Sequence, residues 1–266
     1  MLHYIPRKTL LILSLLLIRT EAIADNAVTI EQVTNGNSNS ITVSVEGSDN
    51  EVNFSFGGAS NTVDIEQKGN DAYVGYTTAW GSGAQWGGDL DGDSNSLTVK
   101  QLCNQTPCGG DRFEFHIAGN SNDVDFYQGY TVTTGGSASF DSYEYGGHFA
   151  QLDIHGSSNI FLGSQRANNS GHEHSMTVGI YGNNNDVYMR QDSNQDKTMN
   201  LTINNSYNDI DMVQTGNASH SATVTIGGSY STDLNLLQRG GTAQSYSLTQ
   251  DCQTSGGCSV SVTQGQ

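Results

Sequence analysis

Proline is almost missing from this chain of 266 residues, which carries 2 of them, and the helix formers Leu, Lys and Glu are few. Long helices are therefore not expected. The 32 glycines instead suit many strands joined by tight turns. Basic residues are also short, with 10 Lys and Arg against 27 Asp and Glu, a formal net charge of −17. So acidic a surface excludes nucleic acid and anionic lipid as natural partners. Long apolar runs are missing too, save one.

That run extends from Leu10 to Ile18, preceded by Arg7 and Lys8 and followed by the small-residue site Ala22-Ile23-Ala24. The pattern is that of a secretory signal peptide spanning 1–24, with removal expected before Asp25. The run is far below the roughly 20 residues a membrane-spanning helix needs. Removal takes away Arg7, Lys8, Arg19 and Glu21, leaving residues 25–266 at −19, a charge that keeps secreted monomers apart. Cysteine is sparse, and its 4 copies fall in two close pairs, Cys103/Cys108 and Cys252/Cys258. In an exported chain these read as two disulfides, each pinning a local turn. Their spacing does not match a two-armed zinc site.

What is present is a seven-residue frame: Asn, any, apolar, any, apolar, any, Gln. It occurs at Asn26/Gln32, Asn61/Gln67, Asn95/Gln101, Asn122/Gln128, Asn159/Gln165, Asn185/Gln191 and Asn208/Gln214. Side chains alternate on a strand, so the Asn, both apolar residues and the Gln share one face. Inward amides at both ends of an apolar strand suit stacking, each bonding to its copies above and below. Later the frame decays, with Thr232, Gln244 and Cys258 in the Asn place while Gln238, Gln250 and Gln264 keep the far end.

Partner strands with the same alternation lie between the frames, among them Val52-Phe54-Phe56, Phe113-Phe115-Ile117 and Met199-Leu201-Ile203. A glycine stands three residues before seven of the Asn positions (Gly36, Gly47, Gly58, Gly92, Gly119, Gly156 and Gly182), where a turn would use positive φ. Asn39, Asn50 and Asn61 are eleven residues apart. The expected fold is all-β, a β-solenoid with about 22 residues per rung of strand, turn, strand, turn. Eight to ten rungs at ~4.7 Å would give a body roughly 40–50 Å long. One rung cannot bury its own apolar face, so the rungs must stack into a single repeat domain over 25–266. Residues 71–94 and 129–148, rich in Gly, Tyr and Trp, break the period as enlarged turns or irregular rungs looping out of the stack.

Candidate chemistry is thin. Asp64, Glu66, Asp125, Asp209 and Asp211 alternate onto the outer face and read as a solvated acidic surface. No nucleophile elbow or Cys/His pairing context is found, so no enzyme is expected. Asp89, Asp91, Asp93 and Asn95 resemble a fragment of a calcium loop, but the Gly/Asp pattern occurs once, as an acidic turn would. His172 and His174 at i, i+2 could grip a metal, yet they lie in a turn with no third ligand in view. No metal or other cofactor is expected. Tyr73, Tyr76, Trp80, Trp86, Tyr143 and Tyr145 either form a binding patch for sugars or surfaces or fold back over the insertions.

Runs such as "NTVDIEQKGN" from Asn61 and "NDIDMVQTGN" from Asn208 resemble the curlin repeat of curli fibre subunits, in which Gln, Gly and Asn recur at fixed offsets around alternating apolar positions. The resemblance covers most of residues 26–264. It implies a secreted subunit of a Gram-negative bacterium that polymerises end to end, with itself and related subunits, into extracellular amyloid for biofilm cohesion and adhesion. It further implies a dedicated outer-membrane export pore with accessory proteins, and host or abiotic surfaces as contacts. The chain departs from the family in its long insertions, its cysteine pairs and a repeat that begins at Asn26, where the family places a Gly-rich export tail. Neither end shows a polar cap, and open rungs invite another subunit. The alternative is a non-polymerising adhesin that binds glycan or surface through 71–94 and 129–148.

Overall fold

The computed structural model describes residues 17–20, 26–32, 38–75, 88–103, 110–132, 138–140 and 145–266. Among these there is no helix. The chain climbs as a β-solenoid of about eight turns, roughly 26 residues each, and every rung contributes one strand to each of two parallel sheets. Sheet one stacks Leu17–Thr20, Ser40–Val45, Thr62–Val63, Ser96–Lys100, Asp123–Gln128, Ile160–Arg166, Asp186–Asp192, Asp209–Gln214, Thr232–Gln238 and Cys258–Gln264. Sheet two stacks Ala27–Gln32, Glu51–Phe56, Tyr73–Val74 together with Gly88–Leu90, Arg112–Ile117, Phe149–Ile154, His174–Ser175, Lys197–Thr198, His220–Gly228 and Gln244–Cys252.

The register is in phase from rung to rung. Val124 pairs with Leu97 below and Phe161 above, and Phe126 with Val99 and Gly163. Asn122, Val124, Phe126 and Gln128 are all buried, so they share one inward face as the alternation requires. Between the sheets runs one core, which includes Phe54, Phe113, Phe115, Phe126, Leu152, Met189, Met212 and Ile226. Phe113 of sheet two stacks on Phe126 of sheet one with ring centroids 4.5 Å apart. Each buried side chain of this size stabilises the fold by about 1.5–3 kcal/mol relative to exposure.

The rungs are less uniform than the eleven-residue spacing suggests. From Asn39 to Thr232 the successive Asn-place separations are 22, 34, 27, 37, 26, 23 and 24 residues. The two long steps hold the insertions; the first is an irregular rung, one of the two expected readings, but it is anchored in the stack, and the second folds back onto it. Residues 71–94 are not one loop: Tyr73–Val74 and Gly88–Leu90 are two pieces of one strand place, each paired with Glu51–Phe56 and Arg112–Ile117. Val74 and Leu90 are fully buried, which anchors both pieces in the core. Residues 76–87, with Tyr76, Trp80 and Trp86, lie outside the described residues.

The second insertion folds back. Tyr130–Val132 pairs antiparallel with Ala138–Phe140, and Tyr130 and Val132 pack with Leu102, Tyr127 and Tyr188 on the outer face of sheet one. The Tyr188 hydroxyl donates to Val132 O at 3.1 Å, which ties this segment down. Tyr143 lies outside the described residues.

At the first rung, Leu17–Thr20 runs parallel to Thr42–Val45 as the edge strand of sheet one. It belongs to the segment expected to be removed on secretion.

Candidate functional site

The amide frames build two ladders on sheet one. In the first, the Asn side chain bonds to the rung above and frequently to the one below. Its Oδ1 accepts the backbone N–H of the next Asn place, from Asn39–Asn61 (2.8 Å) through Asn61–Asn95, Asn95–Asn122, Asn122–Asn159 and Asn159–Asn185 to Asn185–Asn208 (3.0 Å). Its Nδ2 donates to a carbonyl of the neighbouring turn, as Asn122 does to Gly156 O and Asn159 to Gly182 O (2.8 and 2.9 Å). From Asn95 to Asn208 the amides also bond directly to one another, at 2.7–3.2 Å. These buried groups would otherwise cost about 1–3 kcal/mol each as unpaired atoms.

The turns that deliver each Asn use positive φ at two places, only one of which was expected. Positive φ falls on the residue just before the Asn: Ser38, Ser60, Ser94, Ser121, Ser158, Asn184 and Tyr207, with φ between 55° and 66°. Of the glycines three residues before the Asn, Gly58, Gly92 and Gly119 take the expected positive φ (77°, 108° and 105°) and Gly47, Gly156 and Gly182 do not, while all six answer a second need, close approach. A β-carbon on Gly119 would lie 2.1 Å from Gly156 O, and one on Gly156 would lie 1.8 Å from Gly182 O. Gly156 does not have positive φ, so packing between turns alone excludes a side chain there. Gly36 lies outside the described residues.

The second ladder is formed by Gln67, Gln101, Gln128, Gln165, Gln191, Gln214 and Gln238, all fully buried. Gln128 Nε2 donates to Gln165 Oε1, and so on to Gln191, Gln214, Gln238 and Gln264, at 2.7–3.0 Å. Most of these amides also donate across the interior to sheet two, as Gln165 does to Phe149 O (3.0 Å) and Gln214 to Thr198 O (2.8 Å). Gln101 can place its Nε2 on Gln67 Oε1 (3.1 Å). The reversed amide, donating to Gln128 Oε1 and Tyr73 O (both 3.2 Å), suits its neighbours better and makes the ladder run one way.

One frame sits elsewhere. Asn26/Gln32 belongs to sheet two, where Asn26 Oδ1 accepts from Asn50 N at 2.9 Å; the Gln32 side chain lies outside the described residues. Gln244 and Gln250 are likewise on sheet two, paired with His220 and Ile226. The seven-residue pattern suits either sheet, which is why it could not separate them.

Sheet two has its own column, which the frames do not reveal. In register with Asn26 and Asn50 stand Ala72, Asp111, His148, His174, Lys197, His220 and Gln244. Aligning the residue ahead of each partner strand would have found it. The constant feature is its place, while its residue type changes.

The metal candidates do not converge. Asp89 accepts from Ser55 Oγ at 3.1 Å and faces His116, and Asp93 Oδ1 accepts from Ala59 N at 2.7 Å, closing a neighbouring turn. Asn95 points inward into the ladder, so this set is divided between two faces, and Asp91 N serves the backbone ladder through Ile117 O. His174 is buried, whereas His172 bonds Asp196 Oδ1 at 3.2 Å on the outside. Among the described residues no group of three potential ligands comes together.

The outer carboxylates form columns. Asp186 pairs with Asp209 and Asp209 with Asp233, one rung apart. Burial first, and Asp209 second, raise the carboxyls of Asp186 and Asp211 above the ordinary range. Asp64 and Asp125 are raised by burial too, and Asp64 lies 3.9 Å from Lys100. A cleft of about 670 Å³ opens on the outside of sheet two among Tyr73, Arg112, Phe149, Glu173 and Asp196. Arg112 lies over the Tyr73 ring, 5.4 Å from its centroid.

The ladders end in the last rungs. Thr232 N donates to Asn208 Oδ1 (2.7 Å), and Cys258 stands above Thr232. Cys258 is bonded to Cys252 across the turn of the final rung. Cys103 is also in a disulfide, while Cys108 lies outside the described residues. In the final rung Tyr246, Leu248, Val260 and Val262 are only partly buried, although they pack against the core. Among the described residues no strand pairs with the outer edges of Gln244–Cys252 and Cys258–Gln264.

Comparison of the chain with protein-family models, with curated proteins and with solved structures found no match.

Proposed function

We propose that this chain is a secreted structural subunit that polymerises end to end into an extracellular, curli-like amyloid fibre for biofilm matrix and cell adhesion. The observation that carries the reading is the final rung. Among the described residues it presents two parallel edges without partner strands and four half-covered apolar side chains, Tyr246, Leu248, Val260 and Val262, and the Gln ladder runs out there at Gln264. At the opposite end Val28 and Ile41 are half-covered as well. A first rung of a second copy, laid on the last of the first, would continue both sheets and cover both sets. The resemblance of the Asn/Gln frames to the curlin repeat supports the same reading, and so does the expected leader over 1–24. Export through a curli-type pore of a Gram-negative outer membrane belongs to this reading as well.

Incubation of purified residues 25–266, followed by electron microscopy, thioflavin binding and fibre diffraction, tests it. Fibres with a ~4.7 Å meridional spacing are expected. A V260K/V262K variant, charged on the last rung, is expected to stay monomeric with an unchanged circular dichroism spectrum. Persistence of the parent chain as a monomer would defeat the proposal.

A second reading, a rod that binds glycan or a surface, is favoured by the cleft with its Tyr73, Arg112 and Phe149. Its expected signature is adhesion by a chain that forms no fibres, lost in a Y73A/R112A variant that alters the cleft and keeps the buried Val74 and Leu90.

A further inference from the structure

Five consecutive places of the sheet-two column are held by groups that titrate: Asp111, His148, His174, Lys197 and His220. None is more than 2% exposed. Their hydrogen bonds decide where the protons are. His174 Nε2 lies 2.9 Å from Arg166 O, and His220 Nε2 2.9 Å from Thr215 O. A carbonyl only accepts, so both Nε2 atoms carry the hydrogen of the neutral ring. The Nδ1 atoms of both rings are buried without a hydrogen-bond partner. His148 Nδ1 accepts the backbone N–H of His174 at 3.1 Å, and those two rings stack 4.7 Å apart, 6° from parallel. Lys197 Nζ donates to Gly216 O and Ala218 O, at 2.9 and 2.8 Å, in the turn above.

We propose that this column is an acid-sensitive latch: neutral imidazoles close sheet two from His148 to His220 near neutral pH, and acidification opens the solenoid there.

A second proton has no good place to go. On His174 or His220 it would go to a buried Nδ1 that makes no hydrogen bond in the structure, with only the Ser193 backbone near His174 to favour the charged ring, and on His148 Nδ1 it would displace the N–H of His174. Each added charge would also sit in one stack with Lys197. Burial, then His148 and Lys197, hold His174 well below the ordinary imidazole value, and burial with Lys197 lowers His220. Lys197, lowered by burial to about 8, remains charged through this range. The surroundings give little relief. Across the interior stand the neutral amides of Gln165, Gln191 and Gln214. Asp111 stands one place from His148, its Oδ1 accepting His148 N at 3.1 Å, and does not adjoin His174 or His220 in the column. Asp192 and Asp196 act on Lys197, while Asp196 also takes His172 on the outside. Asp71, Arg112 and Glu173 line the cleft whose floor is formed by His148, His174 and Lys197, so solvent protons have a short route in.

The sign follows from the unfolded reference. Histidines held neutral in the fold contribute full stability above the ordinary value near 6.5, and that contribution is lost as pH falls below it. Each such ring lowers the folded-to-unfolded ratio by up to about tenfold per pH unit.

Hydrogen exchange of the full chain, corrected for intrinsic rates, tests the latch between pH 7.5 and 5.5. Protection over 175–226 is expected to fall about a hundredfold or more, while an H174N/H220N variant, which carries the residue found at Asn26 and Asn50 and keeps only His148, falls by about tenfold or less. No fall in the parent, or an equal fall in the variant, overturns the proposal. Should the variant fail to fold at pH 7.5, the parent labelled with ¹³C-histidine decides. His174 and His220 are expected to stay neutral until the fold opens, and titration of both in the folded chain near 6.5 overturns the latch just as firmly.

Discussion

Gly163 stands directly over Phe126 in the sheet-one register, and a β-carbon built on it would lie 2.6 Å from Phe126 Cδ2 and 2.7 Å from Phe161 Cε1. This explains the weakest frame in the chain. The repeat asks for an aliphatic residue at 163, but the Phe113–Phe126 stack and the Phe161 ring already fill that volume. Gly163→Val is expected to lower stability by about 1–3 kcal/mol through overpacking. Adding Phe126→Val should recover part of it by returning the space. Urea denaturation of the two variants checks the pair, and a single variant as stable as the parent would contradict the packing account.

Asn159 holds two neighbours at once. Its Oδ1 accepts both the backbone N–H and the side-chain Nδ2 of Asn185, each at 3.0 Å, and its Nδ2 donates to Gly182 O. Asn159→Ala leaves those buried groups without it and is expected to cost about 1–3 kcal/mol for each one left unsatisfied. Asn183, exposed in the same turn, donates and accepts at the surface, where water can substitute. Asn183→Ala should therefore cost much less. Equal losses in thermal or urea denaturation would show that the ladder contributes no more than an ordinary turn contact.

These two sites also show what could be read in advance. The sheet-one ladders were legible because stacking in phase demands the same residue type in each rung, so Asn122, Asn159 and Asn185 repeat in the chain as they do in space. The sheet-two column was not, because burial fixes the place and leaves the residue type open: Asn50, Asp111, His148 and Lys197 share no chemistry beyond polarity. The split strand at 73–90 was hidden for a different reason. Its anchors are only Val74 and Leu90, separated by a Gly- and aromatic-rich stretch that by itself reads as loop. The fold-back of 129–132 depends on Leu102 and Tyr188, each remote from it in the chain, and no local pattern contains them.

The stacked acids on the outside carry their own pH dependence. Asp186 and Asp211 hold their protons more tightly in the fold than the ordinary value of 3.8, through burial and then Asp209. A raised carboxyl contributes stability at low pH and loses it as pH rises through its folded value, so these groups weaken the protein near neutrality. Asp209→Asn removes the shared repulsion. The variant is expected to be more stable than the parent at pH 7, with the difference shrinking as pH approaches 3.8 and the acids protonate. Melting temperatures of both chains across pH 3.5–7 measure this, and a gap that widens on acidification would reverse the assignment. The direction is opposite to that of the histidine column, so the two contributions can be separated in one titration series.

Cys252 and Cys258 close the turn of the final rung, six residues apart, with Cys252 fully buried. Cys258 sits where lower rungs place Asn, so the bond holds the end of a strand that the Asn ladder no longer reaches, while Gln264 keeps the other end in the Gln ladder. A loop this short contributes about 2 kcal/mol on the chain-entropy estimate, and its effect should be local. Reduction, or a C252S/C258S variant, is expected to free the amides of 244–264 to exchange while those of 95–128 remain protected. Because that rung is the surface proposed to receive the next subunit, fibre growth under reducing conditions should slow without loss of the solenoid. Hydrogen exchange and seeded thioflavin kinetics on the same sample distinguish the outcomes. Slower growth with an intact last rung would place the effect of the disulfide outside the edge strands, and unchanged growth with a frayed last rung would remove that rung from the assembly surface.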